Sequence, residues 1–279
     1  MLTIIIPAHN EESVIAGCLR SLLDQSYTGL VQVIVAANGC TDQTVLLCQS
    51  YQLAFQCKGY DLQVLRLTEI GKNNALNQAD RSARYACRLY LDADVVCDEH
   101  LIQQATQLLD TPEPVYISGA LAIKPGGSFV SNAYGKIWQA MPYIREAVIG
   151  IGCYGVNAAG RTKWSDFPTI HSDDKFVRLL FAKHQCCKTE ARYYWPIPQG
   201  LLTLIKVRIR WIRGNRQLKA RFPELLRKDC GRLKVDWKLC KTSLKNPVST
   251  LVFLFVYGVS AGIAVMQPGH LQIGWSRAR

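Results

Sequence analysis

Through the first 95 residues, short β-branched apolar runs alternate with stretches whose apolar positions recur at helical spacing, and no segment repeats. Residues 2–6, ended by Pro7, and residues 31–37, 62–67 and 89–95 read as buried strands. Val14, Ile15, Cys18, Leu19, Leu22 and Leu23 share one helical face, with Asn10 as the expected cap. Thr41 is the expected cap of a helix over 42–56, whose first free N–H groups favour an anion, and 72–84 forms a third helix. Such alternation predicts an α/β fold with a mostly parallel sheet covered by helices on both faces. Ligands of these sheets sit beyond the carboxyl ends of the strands. Here those ends carry Pro7-Ala8-His9-Asn10-Glu11, Asn38 and Asp92-Ala93-Asp94.

If the fourth strand continues to residue 95, side-chain alternation projects Asp92 and Asp94 from the same side of the backbone. Two hard oxygen ligands at that spacing suit Mg2+ or Mn2+, with further oxygens taken from water and a substrate's phosphates. A solvated turn after a strand is the competing reading of a lone Asp-x-Asp. The decision therefore falls to the rest of the chain.

Of 279 residues, 49% are hydrophobic, enough for a real core. The net charge of +12 suggests nucleic acid until its distribution is read. Residues 1–200 are nearly neutral, whereas 201–245 hold 14 Lys/Arg against 3 Asp/Glu, with Arg277 and Arg279 beyond. Basicity confined to one segment beside an apolar run points to a membrane surface and away from a nucleic-acid partner. Residues 248–266 are long enough for a membrane helix, with a buried or re-entrant helix as the alternative, and the cations before them predict a cytoplasmic catalytic part. Arg277 and Arg279 weigh slightly against that orientation. Eleven cysteines without metal-ligand spacing suggest reduced thiols. Three spans follow: 1–200 as the catalytic domain, 201–245 as a basic amphipathic interfacial region, and 246–279 as a candidate membrane helix with a short tail.

Four motifs stand in order: Ile4-Ile5-Ile6-Pro7-Ala8-His9-Asn10-Glu11-Glu12, Asn38-Gly39-Cys40-Thr41-Asp42-Gln43-Thr44, Gly71-Lys72-Asn73-Asn74-Ala75-Leu76-Asn77 and Leu91-Asp92-Ala93-Asp94. Together they resemble the family-two glycosyltransferases, inverting enzymes with a GT-A nucleotide-sugar fold, over roughly residues 1–215. The resemblance implies a donor base and ribose against Pro7, His9, Glu11, Asn38 and Asp92, and a metal on Asp94 that grips the diphosphate. His9 departs from a common Tyr or Phe, and Ala37-Asn38 from a frequent Asp-Asp. Asn offers both a donor and an acceptor where Asp only accepts, which leaves the base open. Lys72 reads equally as a phosphate contact or as a solvated first-turn lysine.

Further on, 115–123 reads as a strand, 128–145 as a helix, and Gly150-Ile151-Gly152-Cys153-Tyr154-Gly155 as a loop that allows close backbone approach or simply makes a turn. In Ser172-Asp173-Asp174, Ser172 could cap a helix and Asp173 face its dipole. By the resemblance, Asp173 stands at the family's Glu and Asp174 at its catalytic base. Arg210-Trp211 is similar to the end of a Gln-x-x-Arg-Trp motif, with Val207 at the Gln position, so that Arg210 or Arg213 would touch the diphosphate. A basic interfacial helix explains the same arginines. The function implied is metal-assisted single displacement of a sugar from a nucleoside-diphosphate sugar to an acceptor hydroxyl, lipid-linked or in a polysaccharide, at a membrane. A nucleotidyltransferase and a catalytically inactive nucleotide-binding protein are the alternatives.

Overall fold

A computed structural model describes residues 1–227 and 235–266. The chain runs β1 (Leu2–Ala8), α1 (Ile15–Leu23), β2 (Val31–Asn38), α2 (Thr44–Ser50), α3 (Gln52–Lys58), β3 (Tyr60–Leu67), α4 (Lys72–Arg81) and β4 (Arg88–Leu91). It continues through β5 (Val96–Cys97), α5 (Leu101–Leu109), β6 (Tyr116–Lys124), α6 (Phe129–Ala140), α7 (Pro142–Glu146), β7 (Cys153–Val156), α8 (Ala158–Arg161), α9 (Asp173–Leu179) and β8 (Cys186–Pro196). Helices α10 (Leu201–Arg221), α11 (Pro223–Arg227), α12 (Trp237–Lys245) and α13 (Pro247–Met266) follow.

One sheet orders the strands β3-β2-β1-β4-β7-β6-β8-β5. The first four are parallel, β7 is antiparallel to both β4 and β6, β8 is parallel to β6, and β5 is antiparallel to β8. Along β1, Leu2, Ile4 and Ile6 enter one core with α1, α5 and α6, while Ile5 enters the other with Ala75 and Leu76 of α4. Apolar side chains on both faces explain why this strand reads as an unbroken hydrophobic run. The expected helix-covered α/β sheet is therefore present.

Several local expectations change. The fourth strand stops at Leu91, because the Val95 N–H donates to the Asp92 carbonyl at 3.1 Å and closes a turn. Strand alternation therefore does not set the directions of Asp92 and Asp94. Asn10 does not cap α1; it takes a positive φ of 53°, and its Oδ1 accepts from the Thr41 N–H at 2.8 Å. Nor does Thr41 cap the next helix, where Asp42 Oδ1 instead accepts from the Thr44 N–H at 3.0 Å. The helix expected over 42–56 is two helices meeting at Tyr51, and that over 128–145 breaks at Met141, just before Pro142. Ser172 precedes α9 without a side-chain cap bond. Arg277, Arg279 and 228–234 of the basic segment lie outside the described residues.

A buried charge cluster ties the sheet to its cover. Asp80 on α4 accepts from Arg88 Nε and the Tyr90 hydroxyl, each at 3.0 Å, and pairs with Arg161 of α8. Asp80→Asn keeps the shape but leaves two arginines without their counter-charge. We expect it to lower stability by about 2–3 kcal/mol, read as a shifted urea midpoint at unchanged slope.

Helix α10 joins the core of the preceding strands. Leu204, Val207 and Leu218 are buried, and Trp211 sits 5.4 Å from Trp138 of α6 and 6.1 Å from Trp195 of β8, centroid to centroid. A Cβ on Gly214 would come 2.5 Å from Ser172 Oγ. Glycine thus lets α10 lie against the loop that leads into α9. Helix α13 in turn packs along α6 and α10.

Candidate active site

The parallel strands end on one side of the sheet, and a cavity of about 1400 Å³ opens there. Small-ligand pockets usually hold about 300–1000 Å³, so this one has room for more than a single small ligand. Its walls include Pro7 near the end of β1, Glu11 after it, Lys72 at the start of α4, Asp92 and Asp94 in the turn after β4, Asp173 and Asp174 at the start of α9, and Arg210 of α10. Those eight residues, scattered over more than two hundred positions of chain, were singled out from the sequence. Three others were too, and do not line the cavity: His9, Asn38 and Arg213.

His9 and Asn38 lie side by side, with His9 Nδ1 donating to the Asn38 carbonyl at 2.6 Å. The Asn38 side chain is fully buried, and neither its Nδ2 nor its Oδ1 has a hydrogen-bond partner among the described residues. Such a pair is costly to bury unless something satisfies it.

Lys72 is the hinge of the electrostatics. Its Nζ lies 3.0 Å from Asp92 Oδ1 and 3.2 Å from Asp173 Oδ1, so one cation joins the β4 turn to the start of α9. Burial works against its charge, but Asp173, Asp92 and Asp174 outweigh that and hold the ammonium above the usual lysine range. Lys72 stands in the first turn of α4, partly exposed and ion-paired to the carboxylates of both Asp92 and Asp173. Asp173 is buried, which raises its carboxyl, while Lys72 pulls the other way. Asp174 is pushed up to about 7, by burial first and by the neighbouring Asp173 second, with Lys72 opposing. Adjacent carboxylates thus occupy different environments. Both face the cavity and both carboxyls are raised; Asp173 is ion-paired to Lys72, and Asp174 is pushed up to about 7.

Asp92 and Asp94 form the remaining acidic edge. No cluster of three or more His, Cys, Asp or Glu able to hold a metal occurs among the described residues. Two cavity-facing carboxylates nevertheless suit Mg2+ or Mn2+, which keep waters and take substrate phosphate oxygens rather than requiring a full protein cage. In this structure Asp92 is held by Lys72.

Gly152 lies in the loop that the sequence left open between close backbone approach and a simple turn. Its φ is +69°, its carbonyl accepts from the Asp92 N–H at 2.8 Å, and a Cβ there would meet Asp92 Oδ2 at 3.2 Å. The Gly150-Ile151-Gly152 loop therefore buttresses the acidic turn. Unread in the sequence were Trp138 and Trp195, which with Trp211, Phe253 and Tyr257 make an aromatic wall. Only Trp211 carried a sequence signal, in its pairing with Arg210.

The glycosyl transferase family 2 model matches residues 3–166. An uncharacterized glycosyltransferase of Bacillus subtilis, YfnE, is 29% identical over 121 residues, which is 42% of this chain and 29% of that protein. The poly-beta-1,6-N-acetyl-D-glucosamine synthase of Staphylococcus epidermidis is 30% identical over 98 residues, 35% of this chain and 23% of that one. Both matches thus span less than a third of the relative's length. Among solved structures, the mannosyltransferase PcManGT of Pyrobaculum calidifontis, in complex with GDP-Man and Mn2+, aligns over 98% of this chain and 76% of its own at TM-score 0.58 and 19% identity. S. aureus TarS in complex with UDP-GlcNAc aligns over 95% and 91% at TM-score 0.51 and 14% identity. At such identities the likeness is one of fold, and it is the GT-A type expected from the motifs.

Proposed function

Because the chain belongs to glycosyl transferase family 2, we propose that it moves a sugar from a nucleoside-diphosphate sugar to an acceptor hydroxyl by a single, inverting displacement. The observation that carries this reading is one cavity holding the Asp92/Asp94 turn, the Asp173/Asp174 pair and the Lys72 cation between them.

An acceptor hydroxyl is a poor nucleophile until a base takes its proton as it attacks the anomeric carbon. Asp174 is that base: it faces the cavity, and its raised basicity suits proton abstraction near neutral pH. Asp173, held by Lys72, sets the start of α9 and adds the negative field that raises Asp174. Charge gathers on the departing diphosphate, which Lys72 and Arg210, two of the cations that line the cavity, would meet. Asp92 and Asp94 would hold Mg2+ or Mn2+, which when bound stabilises that charge. No nucleophilic carboxylate is needed, since one displacement inverts the centre.

The donor base would lie against Pro7 and Glu11 in the cavity wall, with the bonded pair of His9 and Asn38 beside them; Arg213 is kept as a secondary diphosphate contact. The aromatic wall suits an acceptor with sugar faces or an apolar anchor, in line with a polysaccharide or lipid-linked acceptor at a membrane. The Staphylococcus epidermidis relative is, by its name, a polysaccharide synthase. On this reading residues 1–200 with α10 form the catalytic unit, and the basic and apolar segments after it hold the enzyme to the cytoplasmic face of a membrane.

The test is to incubate the purified chain with UDP- and GDP-sugars and Mn2+ and to follow the products. Release of nucleoside diphosphate, with product of the opposite anomeric configuration once an acceptor is found, is the expected result. Inert nucleotide sugars together with release of pyrophosphate from a nucleoside triphosphate and a sugar 1-phosphate, or binding without turnover across the panel, would replace the proposal with a nucleotidyltransferase or an inactive binder.

A further inference from the structure

Helix α13 carries two apolar stripes on opposite sides. Phe253, Val256, Ser260 and Ala264 are buried against the protein, while Leu251, Leu254, Phe255 and Val265 are each more than half exposed. By length and composition the helix is able to cross a membrane. Its inner contacts argue for another placement. The Arg208 guanidinium lies 4.7 Å from the Tyr257 ring centroid, and Arg216 donates to the Ala264 carbonyl. Cations of α10 thus accompany the second half of α13, and a crossing with this packing would carry them into hydrocarbon, where a charged side chain is expensive.

The preceding helix adds a complementary feature. On α12, Trp237 and Leu244 are exposed beside exposed Lys238, Lys241 and Lys245. Aromatic and aliphatic groups interleaved with lysines are the pattern of a helix lying at headgroup level. The two helices are joined at Asn246, with Thr250 Oγ1 donating to the Ser243 carbonyl at 3.1 Å.

We propose that α12 and α13 dock in the plane of an anionic lipid surface, α12 placing its lysines among the headgroups and α13 its outer stripe at the acyl boundary, with no crossing of the bilayer. This deepens the membrane association proposed above and rests on it. The occupant follows from charge complementarity, since residues 201–245 hold 14 Lys/Arg against 3 Asp/Glu. A consequence is that the docked helix is also a cavity wall, through Phe253 and Tyr257.

The full chain should float with vesicles containing phosphatidylglycerol and not with phosphatidylcholine alone. Lys238→Gln/Lys241→Gln/Lys245→Gln should weaken binding about a hundredfold, at roughly 1 kcal/mol per lysine. Leu251→Glu/Phe255→Glu should abolish flotation; both changes are on the surface, and retained nucleotide-sugar hydrolysis reports that the fold survives. In sealed vesicles from expressing cells, an impermeant maleimide, located by peptide mass spectrometry, should reach Asn246→Cys and Met266→Cys from the same side. Labelling from opposite sides would overturn the proposal in favour of a spanning helix. Failure to float with either vesicle, including through self-association of this face, would overturn it as well. Loss of the catalytic reading is separable: it would appear as absent donor hydrolysis, with flotation and labelling unchanged.

Discussion

Asp174→Asn is expected to lower sugar transfer by about 10²–10⁴-fold, the usual contribution of a general base, while nucleotide-sugar affinity stays near that of the wild type. The substitution keeps size and hydrogen-bonding shape but removes the ability to take a proton at neutral pH. Donor affinity by calorimetry and transfer rate to a competent acceptor separate the two effects. Asp173→Asn should be milder, because its ion pair with Lys72 positions the start of α9 and does not accept the acceptor's proton. A reversal of that order would exchange the two roles, and activity in both variants would place the base elsewhere.

The same group sets two pH dependences. Burial and Asp173 push the Asp174 carboxyl up to about 7, and the base works only when ionised. The transfer rate should therefore rise with pH through about 7, and Asp174→Asn should flatten that limb. Stability runs in the opposite direction. A carboxyl whose folded-state value is raised binds a proton more tightly when folded, so its favourable contribution is complete below the unfolded value and fades as pH climbs toward 7. The Asn variant should consequently gain stability over wild type above pH 7, seen as a higher denaturation midpoint. A group that costs stability while serving chemistry is the expected signature of a functional site.

Asp94→Ala should remove the affinity that Mn2+ adds to nucleoside-diphosphate binding, about a hundredfold for a lost carboxylate ligand (2.7 kcal/mol). Metal-free binding should remain, because Pro7, Glu11 and Arg210 are untouched cavity residues. Titration of the nucleotide with and without Mn2+ gives the answer directly. Unchanged enhancement in the variant would sink the metal assignment. Asp92→Ala should behave differently, since it also frees Lys72 from one of its two partners. A changed pH profile of transfer would then accompany the loss of metal response.

The parts of the site legible in the sequence were those tied to strand ends, and Lys72, Asp173, Asp174 and Arg210 through the motifs they stand in. Pro7, Glu11, Asp92 and Asp94 follow short apolar runs, and a parallel sheet brings the ends of such runs to one edge. For Gly152 the sequence left close approach and a simple turn open, because its role depends on a Cβ-sized space against Asp92. Trp138 and Trp195 carried no sequence signal, and their meeting with Trp211 depends on how α6, β8 and α10 pack. The misassigned caps have a common cause. Asn10 and Thr41 are good helix caps by residue type, but the Asn10 Oδ1 accepts from the Thr41 N–H between two strand-end loops, a choice made by tertiary distance.

Hydrophobic periodicity, a property of neighbours in the chain, was enough to predict the α/β sheet, and motif order was enough to suggest the family. Both depend on spacing along the backbone alone, which any sequence displays. The bridge from Asp92 through Lys72 to Asp173, the separation of Asp173 from Asp174 by environment, and the pinning of α13 beside the arginines of α10 were decided only by the tertiary structure. They are energies of charge, burial and contact between residues remote in sequence. Such energies come into being only once packing has set the distances and removed the water.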